Sequence, residues 1–149
     1  MFWKKATFND EQKSEFVSAI SEMLQIQMIV SGSSIEDAKG QIYRKAIGYV
    51  YGFIDGALTS IGQNMGDVSI GVPILFQVMR NLFPGRQQIY THFLIDHVAN
   101  DPTVMLGVLA GGQQYADFTK PDVKGSPMGL ARFILEANEQ GATCGNAER

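Results

Sequence analysis

Cysteine is nearly missing from this chain: Cys144 is the only one, so no internal disulfide can staple the fold. It lies in a glycine-containing tail, and a lone thiol there suits a reducing compartment. Long apolar stretches are missing too. No run of about 18 apolar residues occurs, which excludes a membrane-spanning helix. The opening MFWKKATFNDEQKSEF has no apolar core behind its lysines, so no secretory leader is expected. Phe2 and Trp3 read instead as a short end folded onto the body. Basic charge is sparse, with 12 Lys and Arg against 15 Asp and Glu and a net charge of −3. The basic doublets are Lys4-Lys5 and Arg44-Lys45, too little to form a nucleic-acid-binding face.

Enzyme signatures are also wanting. There is no GxSxG elbow, no phosphate loop ending in Gly-Lys-Ser/Thr and no GxGxxG turn after a strand. Cys144 lacks the fixed histidine that a thiol nucleophile needs. The acidic residues Glu11, Glu15, Glu22, Glu36 and Asp37 stand near helix starts or on polar faces, where solvation and the helix dipole account for them. No motif calls for a cofactor or a metal.

What the sequence does contain is helix. With 149 residues, 45% of them hydrophobic and 18% charged, the chain has a one-domain length and an ordinary globular composition. It can bury about two thirds of its unfolded surface. Asn9 and Asp10 start a first helix over 10–30, with Phe16, Val17, Ile20, Met23, Leu24 and Met28 at i, i+3, i+4 spacing. Ser31 to Ser34 breaks it. Ser34 and Asp37 form a capping-box pattern for a second helix over 35–61. The glycine-spaced stretch 62–72 reads as loop, because Val68, Ile70 and Val72 alternate without a partner strand. Pro73 opens a short helix that Pro84-Gly85 ends. Further helices are predicted over 86–99, over 102–117 behind Asp101-Pro102, and over 127–140 behind Ser126-Pro127. The expected fold is all-α: a single compact bundle of about six helices over 1–149, with 1–8 and 141–149 as loose ends. The long glycine-bearing second helix lies at or near its centre.

That second helix poses the sharpest question. In IGYVYGFIDGALTS, Gly48, Gly52 and Gly56 recur at the i, i+4 spacing of a helical ridge. On a wheel of about 100° per residue they fall with Arg44, Lys45, Asp55 and Thr59, opposite Val50, Phe53, Ile54, Ala57 and Leu58. Three glycines cost a helix interior roughly 2–3 kcal/mol relative to alanine. Three explanations account for that: a break in the helix, backbone packing against another helix of the same chain, or a surface for an external partner. Gly107 and Gly111, four apart in the fifth helix, match the second. The third defines an interface of Arg44, Gly48, Gly52, Asp55, Gly56 and Thr59, across which a second copy or another protein would dock.

Two chemistries follow. Arg44 and Asp55 lie about 20° apart around the helix but three turns apart along it, so both can address one ligand. The fourth helix adds His92 and Asp96 at i, i+4 and His97 on its apolar side. With no third ligand in reach, these do not make a zinc site. The leading expectation is a soluble cytoplasmic binding or regulatory protein of inhibitor, immunity-factor or adaptor type, acting through protein–protein contact and able to self-associate. The alternative is a small enzyme or ligand-binding protein with Arg44, Asp55, His92, Asp96 and His97 around a site between the second and fourth helices. The methionines at 23, 28, 79 and 105 are expected to fill the core.

Overall fold

The computed structural model describes residues 8–32, 34–37, 39–120 and 127–140. Among them the chain forms six α-helices and no strand: α1 (Asp10–Ser31), α2 (Arg44–Ser60), α3 (Val68–Leu82), α4 (Gln87–His97), α5 (Pro102–Phe118) and α6 (Gly129–Gln140). The architecture is an all-α bundle, as expected. Phe2, Trp3, Ser126 and Cys144 lie outside the described residues.

The first helix starts as its sequence directs. The Asn9 side chain accepts from the Gln12 amide and the Gln12 side chain accepts from the Asn9 amide, each at 2.9 Å, a reciprocal capping box. It stops at Gly32, whose φ of 69° is one an L side chain resists.

The second helix begins nine residues later than predicted. Asp37 does not cap it. Its carboxylate accepts from the amides of Lys39 and Gln41, which folds the chain into a turn. A short side chain with donors two and four residues ahead satisfies them locally instead of propagating a helix. Gly40 supplies the left-handed φ of 81° that this turn needs. A bridge between Glu36 and Ile42 closes it, with Ile35 and Tyr43 buried at its base.

The third helix begins five residues earlier than predicted. Asp67 accepts from the Ser69 amide and starts α3 at Val68, so Pro73 falls within the helix. A capping carboxylate outweighs the single amide bond that Pro73 cannot make. Gly71 allows the first turn to close on the preceding loop: a Cβ there would stand 2.2 Å from the Met65 carbonyl oxygen.

The centre of the bundle is α2, whose Ala46, Ile47, Tyr49, Val50, Phe53, Ile54, Ala57 and Leu58 are all fully buried. Its most extensive partner is α5. The two run parallel, in a register that sets Gly48 against Val104, Gly52 against Val108 and Gly56 against Gly112. An added Cβ at Gly48 would lie 2.2 Å from the Val104 oxygen, and one at Gly52 would lie 1.9 Å from the Val108 oxygen. The contact is reciprocal: an added Cβ at Gly107 would lie 2.0 Å from the Lys45 oxygen, and one at Gly111 would lie 2.2 Å from the Tyr49 oxygen. Backbone therefore meets backbone, with glycine hydrogens directed at carbonyls as in Cα–H···O contacts. The spacing is looser at Gly56, where an added Cβ would meet its nearest neighbours at 3.2 Å. The ridge accordingly neither breaks the helix nor offers a face to a second copy. It is filled by α5 of the same chain.

Two alanine substitutions separate this account from simple helix propensity. Gly52→Ala forces α2 and α5 apart and is expected to destabilise by more than about 3 kcal/mol, beyond ordinary overpacking. Gly112→Ala meets only the Gly52 oxygen, at 3.5 Å, and is expected to be neutral or to stabilise by up to about 1 kcal/mol. Urea denaturation of both variants measures the contrast.

Candidate functional site

At the amino ends of the paired helices, Asp101 caps α5 by accepting from the Thr103 and Val104 amides at 2.9 and 3.2 Å. Its other oxygen accepts from the guanidinium of Arg44, the first residue of α2. The Arg44 and Asp101 side chains keep 20% and 9% of their surface. The guanidinium also stands 5.8 Å from the centre of the Phe93 ring. Arg44 is thus a structural ion pair tying α2, α5 and α4 together, a role that sequence spacing cannot reveal.

The predicted interface does not form one surface. Gly48 and Gly52 are buried in the α2–α5 seam, Gly56 is partly covered, Thr59 is exposed and Arg44 is engaged by Asp101. The alternative ligand set is likewise dispersed. Arg44 and Asp55 are eleven positions apart on α2, about 16 Å along its axis. His92 and Asp96 are exposed on α4. His97 is half-buried, with its Nδ1 2.8 Å from the Phe93 carbonyl oxygen and its ring stacked at 4.2 Å on that of Phe93. Among the described residues, no three His, Cys, Asp or Glu side chains come close enough to hold a metal ion. No described helix is long and apolar enough to cross a membrane.

Asp55 stays chemically conspicuous. It is half-buried, and no described residue pairs with it by hydrogen bond or ion pair. Burial pushes its carboxyl above the ordinary 3.8. One turn earlier, Tyr51 is raised as well, first by burial and then by the Asp55 charge. Tyr51 was missed by the sequence reading because it stands at the boundary between the polar and apolar halves of the wheel. It lines a cleft of about 200 Å³ with Met65, Val68, Leu75, Ile95 and Val98, where α2 meets the start of α3 and the end of α4. A second, wider groove of about 680 Å³ runs between the carboxyl ends of α1 and α3, with Met28, Ile29, Leu82 and Phe83 on its walls.

The outer side of α5 is the other unusual feature. Met105, Leu106 and Leu109 keep 41%, 56% and 64% of their surface. Met105 is therefore not core filler, unlike the fully buried Met79. From Pro102 to Ala116 the helix carries no charged residue. Charge returns only at Asp117, which Lys120 neutralises at 3.1 Å.

Comparison with family models, with curated proteins and with solved structures found no match to this chain.

The Asp55 environment makes a signed prediction. Its folded-state pKa is raised, so the folded protein favours the protonated acid and loses stability as Asp55 ionises. Asp55→Asn is expected to melt higher than wild type near neutral pH. The advantage should vanish as pH falls below about 4, where the unfolded chain also holds the proton. Thermal melts of both proteins between about pH 7 and pH 3 read this out.

Proposed function

We propose that this chain is a protein-binding module of regulatory or adaptor kind, working through contact between folded surfaces in a reducing, cytoplasmic setting. The observation that carries this reading is the uncharged outer face of α5. Three large apolar side chains at i, i+1 and i+4 stand exposed there, continued by Gln113 and Ala116. Exposed apolar patches without charge mark interaction sites far more often than isolated exposed hydrophobics do. The lone Cys144 supports the compartment.

The partner we propose is a second copy. Two molecules of net charge −3 repel one another, and a face free of charge is where they approach at least electrostatic cost. Two α5 helices related by a two-fold axis would bring Leu106 and Leu109 against their counterparts, the self-complementary arrangement that symmetric dimers use. Nucleic acid is not among the proposed partners. No Lys or Arg occurs between Lys45 and Arg80, or between Arg86 and Lys120.

Light scattering across a concentration series tests this directly. Wild type is expected to show dimer mass, and Leu109→Glu to be monomeric, because two carboxylates would face each other across the axis. The substitution lies on an exposed side chain and should change folding stability by no more than about 0.5 kcal/mol, which circular dichroism checks. Monomer mass for wild type at all concentrations, or a dimer untouched by Leu109→Glu, overturns the assignment of α5 as the contact face.

A further inference from the structure

The methionines of this chain are not equally reachable by water. Met79 is fully buried and Met65 keeps 7% of its surface. Met23, Met28 and Met128 are half-buried. Met105 keeps 41% and is the exposed one among the described methionines. Its place is the charge-free outer side of α5. Leu109 follows it at i, i+4, a spacing that sets Cβ atoms about 5–6 Å apart. At about 100° per residue, Met105, Leu109 and Leu106 fall within one face about 100° wide, with Met105 at its edge.

The thioether is the group on that face whose polarity chemistry can change. The other exposed residues there, Pro102, Leu106, Leu109, Gln113 and Ala116, hold neither a nucleophile nor a titratable group. Peroxides oxidise methionine by oxygen transfer. A sulfur lone pair attacks one peroxide oxygen, an S–O bond forms and the O–O bond breaks. With hydrogen peroxide the departing hydroxide takes the proton of the transferred oxygen and leaves as water. Sulfur is oxidised by two electrons and the peroxide is reduced by two. The sulfoxide turns an apolar side chain into a polar one that accepts hydrogen bonds. Set against an apolar face without a donor, it costs what an unpartnered polar group costs. Gln113 is the nearest amide on the face, and it already gives a hydrogen to Asp117 at 3.0 Å.

We propose that Met105 is a site of reversible oxidation by peroxides that governs self-association through α5, a role that rests on the dimer reading given above. With the thioether reduced, the face is apolar and pairs with its counterpart. A sulfoxide on each copy places two polar groups at the contact and separates the pair. Association in turn covers the sulfur, so the monomer is the species that reacts. A thiol-dependent reductase reverses the change: the sulfoxide oxygen leaves as water, two thiols are oxidised to a disulfide, and pairing is restored.

Hydrogen peroxide is the probe, applied to the full chain, with oxidised sites located by peptide mass spectrometry and assembly followed by light scattering. Met105 is expected to oxidise first, and more slowly as protein concentration rises through the dimer transition. Full conversion at Met105 is expected to weaken the dimer at least about tenfold, the scale of one unpartnered polar group. Met105→Leu is expected to dimerise like wild type and to keep its mass in peroxide. Met105→Gln is expected to behave like the oxidised protein, and circular dichroism checks that both variants are folded. Three outcomes overturn the proposal and leave the α5 contact standing: a dimer that persists after Met105 is converted, a half-buried methionine that oxidises first, or a Met105→Leu dimer that peroxide still separates. Monomer mass for untreated wild type at every concentration overturns the α5 reading and this role together, which tells the two failures apart.

Discussion

Everything in this bundle is arranged around the contact of two helix backbones. Where α2 and α5 cross, four glycines alternate between the partners, and each directs its missing side chain at a carbonyl oxygen of the other helix. Packing this close leaves no freedom of register, because sliding either helix by one residue would drive a side chain into a carbonyl. The parallel direction places both amino ends at the same side. There the like ends of the two helix dipoles repel, and an anion is favoured. Asp101 is that anion: it caps α5 and binds the guanidinium at the first residue of α2. The glycine seam and the Arg44–Asp101 pair thus fix the same register from the middle and from the end.

A second polar device docks the last helix. The first backbone amides of α6 need acceptors, and two glutamines from other helices provide them. Gln114 of α5 accepts from the Gly129 amide, and Gln27 of α1 accepts from the Leu130 amide at 2.9 Å. Tyr49, fully buried on α2, donates its hydroxyl to the same Gln114 oxygen, and burial pushes its pKa up to about 12. The amino end of α6 is therefore held by side chains from α1 and α5, with α2 bracing one of them. These glutamines show no periodicity and belong to no motif, so their role exists only once distant segments meet.

The same arrangement leaves surfaces without cover. Because α5 gives its glycine side to α2 and touches α6 only slightly, Met105, Leu106 and Leu109 face outward. Because α4 ends at His97, a recess remains beside Tyr51 that no side chain of the described chain fills. Both features are consequences of a fold organised by one tight pair, with shorter helices laid around it.

Much of this was legible in the residues themselves, because the decisive signals are local. Asn9 with Gln12, Asp101 with Pro102 and the spacing of apolar residues act within one or two turns, so the all-α character and the starts of α1 and α5 follow from sequence. The glycine spacing posed a helix break, an internal seam and an external surface as alternatives, with Gly107 and Gly111 as a candidate match for the seam. Two local signals misled. Ser34-x-x-Asp37 resembles a helix start, but Asp37 has nearer donors in its own turn, and Pro73 resembles one, but Asp67 caps earlier. What only the tertiary structure decided is which face meets which. A glycine ridge leaves room identically for a helix of the same chain, a second copy or a ligand, and only the distances to Val104 and Val108 select the first. Likewise Arg44 belongs with Asp101, 57 positions away, and not with Asp55 on its own helix. Sequence spacing reports angle around one helix, whereas pairing depends on how separate helices are brought side by side.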